Sequence, residues 1–228
     1  QEAWTQRNGS NLRVPHYVQE VIERIAFVAR EDKRVDKRSG VSQRLPISAM
    51  ENVISNAERR ALRSDEKLVV PRISDIYAAM PAITGKLELE YEGEMKGADN
   101  VGRELIRAAI AKSYDEYFAG VNMQQVVQWF DLGGEIGLSD TASAKEVLNG
   151  LKSIQGLMDK LAPLDVNTKD SPEVQVSAAE FILEGLYAHK RIGRSEERVF
   201  TAGEKQPKHQ EKHFDREEPP FRGRRPYN

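Results

Sequence analysis

Apolar residues recur at helical spacing along most of the chain, and this period constrains the fold more than any other feature. Spacings of three and four residues place these side chains on one face of a helix, which then packs against a core. The sequence therefore predicts an all-α fold of about seven helices. They cover about residues 15–30, 43 or 47 to 63, 73–80, 101–118, 122–130, 143–161 and 172–189.

Residues 86–92 break the helical pattern, because apolar and charged residues alternate strictly there. A period of two is typical of a strand, although one isolated strand is not stable. We therefore predict a linker or short strand over 87–100. It divides a helical domain at 14–86 from a helical extension at 101–192.

The alternation would also place four carboxylates on one face of an extended segment, namely Glu88, Glu90, Glu92 and Glu94. In a cleft, paired carboxylates can perform acid–base chemistry. On an edge strand they discourage aggregation, and we favour this second interpretation.

Residues 193–228 lack an apolar period and are rich in charge and proline. Such a segment buries too little apolar surface to offset the cost of ordering, so we predict a disordered tail. Its end, Phe221 to Tyr227, mixes arginine with aromatic residues, which can bind RNA, but a solvated linker or partner-docking motif is favoured. His209 and His213 lack the glutamate of a zinc-protease motif, so no metal site is predicted.

Composition excludes several classes of function. The chain has no cysteine, which removes disulfides, thiolate nucleophiles and cysteine–zinc sites.

The formal net charge of −2 gives no global attraction for nucleic acid or anionic membranes, and no apolar run approaches the roughly 18 residues of a membrane span. We expect a cytoplasmic protein with no membrane or nucleic-acid partner. Because residue 1 is Gln, we expect the chain to begin inside a longer protein.

Two clusters have simple structural interpretations. Arg59, Arg60 and Arg63 close the second predicted helix, where cations complement the helix dipole; contact with a neighbouring subunit is the alternative. Trp129 and Phe130 form an apolar cluster whose default role is core packing, although an exposed cluster would indicate a partner groove or subunit interface.

The strongest functional feature is the turn from Gly40 to Arg44, which opens a long amphipathic helix. Ser42 can cap this helix, or Ser48 and Glu51 can form a capping box further along. A guanidinium offers a planar fork of donors suited to phosphate, and a helix start favours anions. Arg44 is thus a candidate for contacting a nucleotide held by a neighbouring domain. The alternative is an ordinary solvated arginine.

This turn, the helix after it and the segment Val69–Ile76 resemble the "sensor 2" region of the helical lid in AAA+ ATPases. The resemblance is to the magnesium chelatase, MoxR and Lon-like group, and it covers about residues 14–86. It implies an AAA+ lid-type helical bundle, with residues 1–13 as the connector from an ATPase core. It also implies that Arg44, with Ser42 and Gly40, binds the cofactor.

The resemblance further implies ATP and Mg²⁺ bound mainly by the core, and a lid that couples hydrolysis to remodelling of a partner protein. The implied partners are the N-terminal ATPase core, neighbouring subunits of a ring homo-oligomer and an unidentified substrate protein. The 228 residues contain no G-x-x-x-x-G-K-[ST] loop. We therefore expect ATPase activity of the full-length protein and not of this segment alone.

A second hypothesis is a non-enzymatic, all-α interaction module whose arginine–aromatic tail binds a partner or RNA. The two hypotheses differ upstream, because only the first requires a phosphate-binding domain before Gln1.

Overall fold

The computed structural model describes residues 11–38, 41–139, 141–195 and 197–203. The described chain is mostly helical, as predicted, with short strands in two small sheets. The helices are α1 (His16–Glu31), α2 (Leu45–Arg63), α3 (Ile73–Ala78), α4 (Met80–Thr84), α5 (Tyr91–Lys96), α6 (Ala98–Phe118), α7 (Gln124–Asp131), α8 (Ala144–Leu151) and α9 (Pro172–Ala188). The strands are β1 (Asn11–Leu12), β2 (Leu68–Val69), β3 (Ile136–Gly137), β4 (Ile192–Arg194) and β5 (Val199–Ala202). Within the described ranges, no helix combines the length and the apolar character needed to cross a membrane.

Helix α9 is the centre of the fold, because every residue from Val174 to Leu186 is buried. A helix that is apolar on nearly all sides must be surrounded by other elements, and α3, α6, α8 and β4 pack against it. The aromatic ring of Phe181 stacks on Tyr17 of α1 at a centroid distance of 4.9 Å. Helix α1 in turn packs along α6.

One hydrophobic core crosses the predicted domain boundary. Buried apolar side chains from Tyr17 to Phe200 belong to a single cluster. A small second cluster of Ala57, Ala61 and Val69 lies beside the parallel β1–β2 pair. Residues 14–86 and 101–192 therefore share their core.

The segment predicted as a linker or short strand is extended only at its beginning. Leu87 and Leu89 form isolated antiparallel bridges with Val41 and Val35, and α5 then starts at Tyr91. A Cβ on Gly93 would lie 2.6 Å from the Arg34 carbonyl oxygen, so the α5 backbone sits directly on that loop. This contact between distant residues overrides the local alternation, and the four glutamates do not share one strand face.

The prediction of disorder from residue 193 onward is wrong for the described residues up to 203. Strands β3, β5 and β4 form an antiparallel sheet in that order, with Phe200 opposite Ile136. The Phe200 side chain is fully buried, so pairing over a long sequence separation supplies the apolar burial that the local composition lacks. His209, His213 and Phe221–Tyr227 lie outside the described residues.

The predicted helix at 143–161 ends early. Helix α8 stops at Leu151, and turns and two 3-10 helices (Met158–Lys160 and Ala162–Leu164) follow. Gly156 has a φ of +79°, which L side chains rarely adopt and which interrupts the helix.

Candidate functional site

The turn before α2 is fixed by backbone contacts on both sides. The Ser42 N–H donates to the Lys86 carbonyl oxygen at 3.3 Å, and the Ser42 carbonyl oxygen accepts from Leu45 N–H at 2.9 Å. The Ser42 hydroxyl oxygen accepts from Arg44 N–H at 3.3 Å. The helix therefore begins at Leu45, between the two predicted starts. Pro46 lies in its first turn, where a missing N–H costs nothing.

Arg44 is the last residue before the helix and is exposed. Among the residues that the structure describes, its guanidinium has no hydrogen bond or ion pair. Leu45, directly after it, is fully buried and anchors the backbone. Ser42 lies in the same turn, while Gly40 is outside the described residues. The structure thus presents the Arg44 side chain from a fixed backbone, and its binding of nucleotide stays a prediction.

The chain enters this bundle at the end of α2 opposite to Arg44. Strand β1 pairs with β2, which follows the C-terminal end of α2. The 19 residues of α2 span about 28 Å, and the ten residues before Asn11 can cover about 33 Å when extended.

A second constellation consists of eight charged side chains, five of them buried and three partly buried, where α2, α3, α9 and the β4–β5 hairpin meet. Each of these side chains is at most 15% exposed. Four are arginines and four are carboxylates, so the formal charges balance. The members are Arg60, Arg72, Arg194, Arg198, Glu66, Asp75, Glu180 and Glu184.

Arg60 joins the end of α2 to its neighbours. Its guanidinium donates to the Val70 carbonyl oxygen at 2.7 Å, to Asp75 Oδ2 at 3.0 Å and to Glu66 Oε2 at 3.3 Å. Glu66 Oε1 also accepts from Ala144 N–H at the start of α8, at 2.7 Å. The predicted role for Arg60, a cation that complements the helix dipole, is therefore incomplete, because Arg60 is also a buried cross-link. Arg63, in contrast, is exposed.

Two glutamates of α9 hold the β4–β5 hairpin. Glu180 Oε1 accepts from Arg198 Nη2 and from Ser74 N–H, each at 2.7 Å. Glu184 pairs with Arg194. The Arg194 guanidinium lies 4.7 Å from the Tyr77 ring centroid and 4.6 Å from that of Tyr187. Cation–π contacts of this kind add to the ion pair where water is excluded.

Burial perturbs the protonation of this cluster. It raises the pKa of Glu184 to about 7, while Arg194 acts in the opposite direction. Burial also raises the pKa of Asp75 against the attraction of Arg60, and burial followed by repulsion from Arg60 lowers the pKa of Arg72. Arg72 Nε and Glu180 Oε2 are buried without a hydrogen-bond partner in the described part of the chain.

The buried cluster has the character of a structural network. Two surface pockets, of about 490 and 470 Å³, include no member of the cluster; the first is lined by Asp32, Lys33, Arg34, Glu92 and Lys96, and the second by Asn122, Gln124, Gln125, Gln128 and Lys160. Ion-pair networks perturb pKa values without serving a substrate. The sequence did contain a signal, because Glu180 and Glu184 lie four residues apart within an apolar stripe. Carboxylates on a core-facing helix require buried basic partners.

The remaining predicted features can also be placed. Phe130 is fully buried. The partly buried Trp129 ring packs edge-on against the Phe130 ring, with 5.0 Å between the ring centroids, so core packing is confirmed for this pair. Across the described ranges, no group of three or more histidine, aspartate or glutamate side chains could hold a metal ion. The predicted ATP and Mg²⁺ belong mainly to the upstream core, so this finding does not bear on them.

Comparisons with models of protein families, with curated proteins and with solved structures each found no match. The functional interpretation therefore depends on the residues and their geometry.

Proposed function

We propose that this chain is the C-terminal part of an AAA+ ATPase of the magnesium chelatase/MoxR-like group. Residues 14–86 would form the helical lid, and Arg44 would sense ATP bound by an upstream core. The observation that carries the proposal is the exposed Arg44 guanidinium, which has no partner among the described residues and extends from a rigid helix start.

The chemistry of this helix start suits a phosphate. Leu45 N–H is already bonded to the Ser42 carbonyl oxygen and Pro46 has no N–H, so a phosphate here would be held mainly by Arg44, with the helix dipole adding partial positive charge. A charge-assisted contact from arginine to phosphate is among the stronger hydrogen bonds in proteins. Because Val41 and Leu45 anchor the turn on both sides of Ser42, the backbone of Arg44 needs little ordering when the side chain binds.

Helix α2 also offers a route from nucleotide to the rest of the molecule. Arg44 precedes its first residue, and Arg60 lies in its last turn within the buried network that reaches α9 and the β4–β5 hairpin. A displacement of α2 would therefore move the helical extension with it. On this basis we propose that the lid couples ATP hydrolysis to remodelling of a partner protein, in a ring of identical subunits.

The test is to translate the reading frame upstream of Gln1. We expect a G-x-x-x-x-G-K-[ST] sequence that directly follows a predicted apolar strand. An upstream region without such a loop would refute the proposal, because Arg44 would have no nucleotide to sense. The interaction-module hypothesis would then remain, and one observation favours it independently, namely the exposed apolar pair on α5.

A further inference from the structure

Helix α5 presents two large apolar side chains to solvent. Tyr91 is 76% exposed and Met95 is 73% exposed. Residues four apart on a helix are neighbours on one face. Among the exposed large apolar residues of the described chain, this is the pair that shares one helix face at such spacing; the others are Phe27, Ile47, Leu62 and Leu132.

The opposite side of α5 packs against the loop that contains Arg34, and its C-terminal end is tied to α6. Gly93 is buried against the Arg34 carbonyl oxygen, and Glu90 N–H donates to that same oxygen at 2.8 Å. Lys96 at the end of the helix pairs with Glu104 of α6 at 2.7 Å. The apolar pair is therefore held outward by a fixed helix.

Four glutamates lie within three residues of the apolar pair in sequence, namely Glu88, Glu90, Glu92 and Glu94. Glu88, Glu90 and Glu94 are exposed, and within the described chain no ion pair to a lysine or arginine engages them. Glu92 is exposed and pairs with Lys33 at 3.1 Å. We name Tyr91, Met95 and these four glutamates the α5 face. Its occupant should combine positive charge with aromatic side chains.

The chain itself contains such a segment. Residues 221–227 read Phe-Arg-Gly-Arg-Arg-Pro-Tyr, with three arginines, two aromatic residues and no acidic residue. Arginine can pair with the glutamates and stack on Tyr91, and an aromatic ring can contact the Met95 sulfur. The charge and the side-chain types of the two segments are complementary.

The tether is long enough for contact within one molecule. Phe221 follows Gly203 by 18 residues, which reach at most about 60 Å when extended. A folded chain of this size has a radius of gyration of about 17 Å. A tethered segment also has an effective concentration of roughly millimolar, which favours its own chain over a second copy.

We propose that residues 221–227 dock on the α5 face of the same chain. The docked segment covers Tyr91 and Met95. This inference does not depend on nucleotide sensing by Arg44.

The test uses the full 228-residue chain with the photo-crosslinking amino acid p-benzoylphenylalanine in place of Tyr91. Both side chains are aromatic and the site is exposed, so the fold should be retained. After irradiation, mass spectrometry should map an adduct between position 91 and the C-terminal peptide, in the monomer fraction. The same amino acid in place of Leu132, another exposed apolar residue, is the matched control and should give no such adduct.

Charge variants decide whether the contact is specific. The triple variant R222E/R224E/R225E should lower the yield of the position-91 adduct at least about tenfold, because ionic contacts equivalent to about 1.4 kcal/mol or more are lost. The control K205E/K208E/K212E changes the tail charge equally and should leave the yield nearly unchanged. Adducts elsewhere, adducts only in a dimer fraction, or equal losses in both triple variants would overturn the proposal.

Discussion

Two arginines on α2 have opposite environments. Arg44 precedes the first residue of the helix, exposed and without a partner in the described chain, whereas Arg60 lies in the last turn with three acceptors within 3.3 Å. Both are arginines at an end of the same helix, but Arg60 is buried among acceptors at the C-terminal end, where the helix dipole favours a cation, and Arg44 is exposed at the N-terminal end. A guanidinium stays charged even when buried, so its desolvation must be offset by paired acceptors, and Arg60 is therefore committed to the fold. Arg44 contributes no comparable contact and remains available to a ligand.

The largest expected effect comes from removing Arg60. Arg60→Ala leaves Asp75 buried without an ion-pair partner and Glu66 with Arg72 alone, at 3.7 Å, and breaking a buried ion pair in this way costs about 3–5 kcal/mol. Urea unfolding of the full chain should show this loss. Arg63→Ala, an exposed arginine at the same helix end, should change stability by less than about 0.5 kcal/mol. A loss below about 1 kcal/mol for Arg60→Ala would mean that the network is not structural.

The second-largest expected effect is the pH dependence of the unfolding free energy that Glu184 causes. The pKa of Glu184 in the folded state is raised to about 7 by burial, so the folded state holds this proton more tightly than the unfolded state. Its contribution to stability is complete below the unfolded pKa and is lost as pH rises to about 7. The loss is on the order of 3 kcal/mol. Denaturation at several pH values should show unfolding free energy falling across this window.

Glu184→Gln removes the titrating group but keeps a similar shape. The variant should flatten the pH dependence over the same window, while Glu173→Gln, on the same helix but not fully buried, should retain it. An unchanged slope in Glu184→Gln would show that another group is responsible.

Arg34 has an environment between those of the exposed Arg44 and the buried Arg60. Its side chain is 17% exposed and pairs with Asp32 at 2.5 Å and with Glu104. We expect Arg34→Ala to lower the unfolding free energy by about 1–2 kcal/mol, between the values for exposed and buried pairs. The loss should shrink in high salt, because partly exposed charges are screened. Salt-independent destabilisation would instead indicate lost packing.

The smallest stability effect should come from Arg44. Arg44→Ala removes no described contact, so thermal unfolding of the full chain should change by less than about 0.5 kcal/mol. A larger loss would mean that Arg44 serves the fold and not a ligand.

The same contrast explains what the sequence could and could not predict. The helix that begins directly after Arg44 was predicted because its signals are local, namely the turn residues, Pro46 and the apolar period. The β3–β5 pairing was missed because it joins Phe200 to Ile136 across a long sequence separation. The β4–β5 hairpin is local, and it was missed because the residues after Gly193 are rich in charge. The buried network was missed as a group because its members come from five different segments, although Glu180 and Glu184 in an apolar stripe indicated that partners were required.

ATP turnover by Arg44→Ala in the full-length protein with its upstream domain tests the central claim most directly. Arg63→Ala is the matched control, since it removes an exposed arginine from the other end of α2. We predict a fall of at least about tenfold for Arg44→Ala, equivalent to about 1.4 kcal/mol of lost contact to phosphate, and normal turnover for Arg63→Ala. Unchanged turnover in Arg44→Ala, or an equal fall in both variants, would contradict the assignment of Arg44 as the nucleotide sensor.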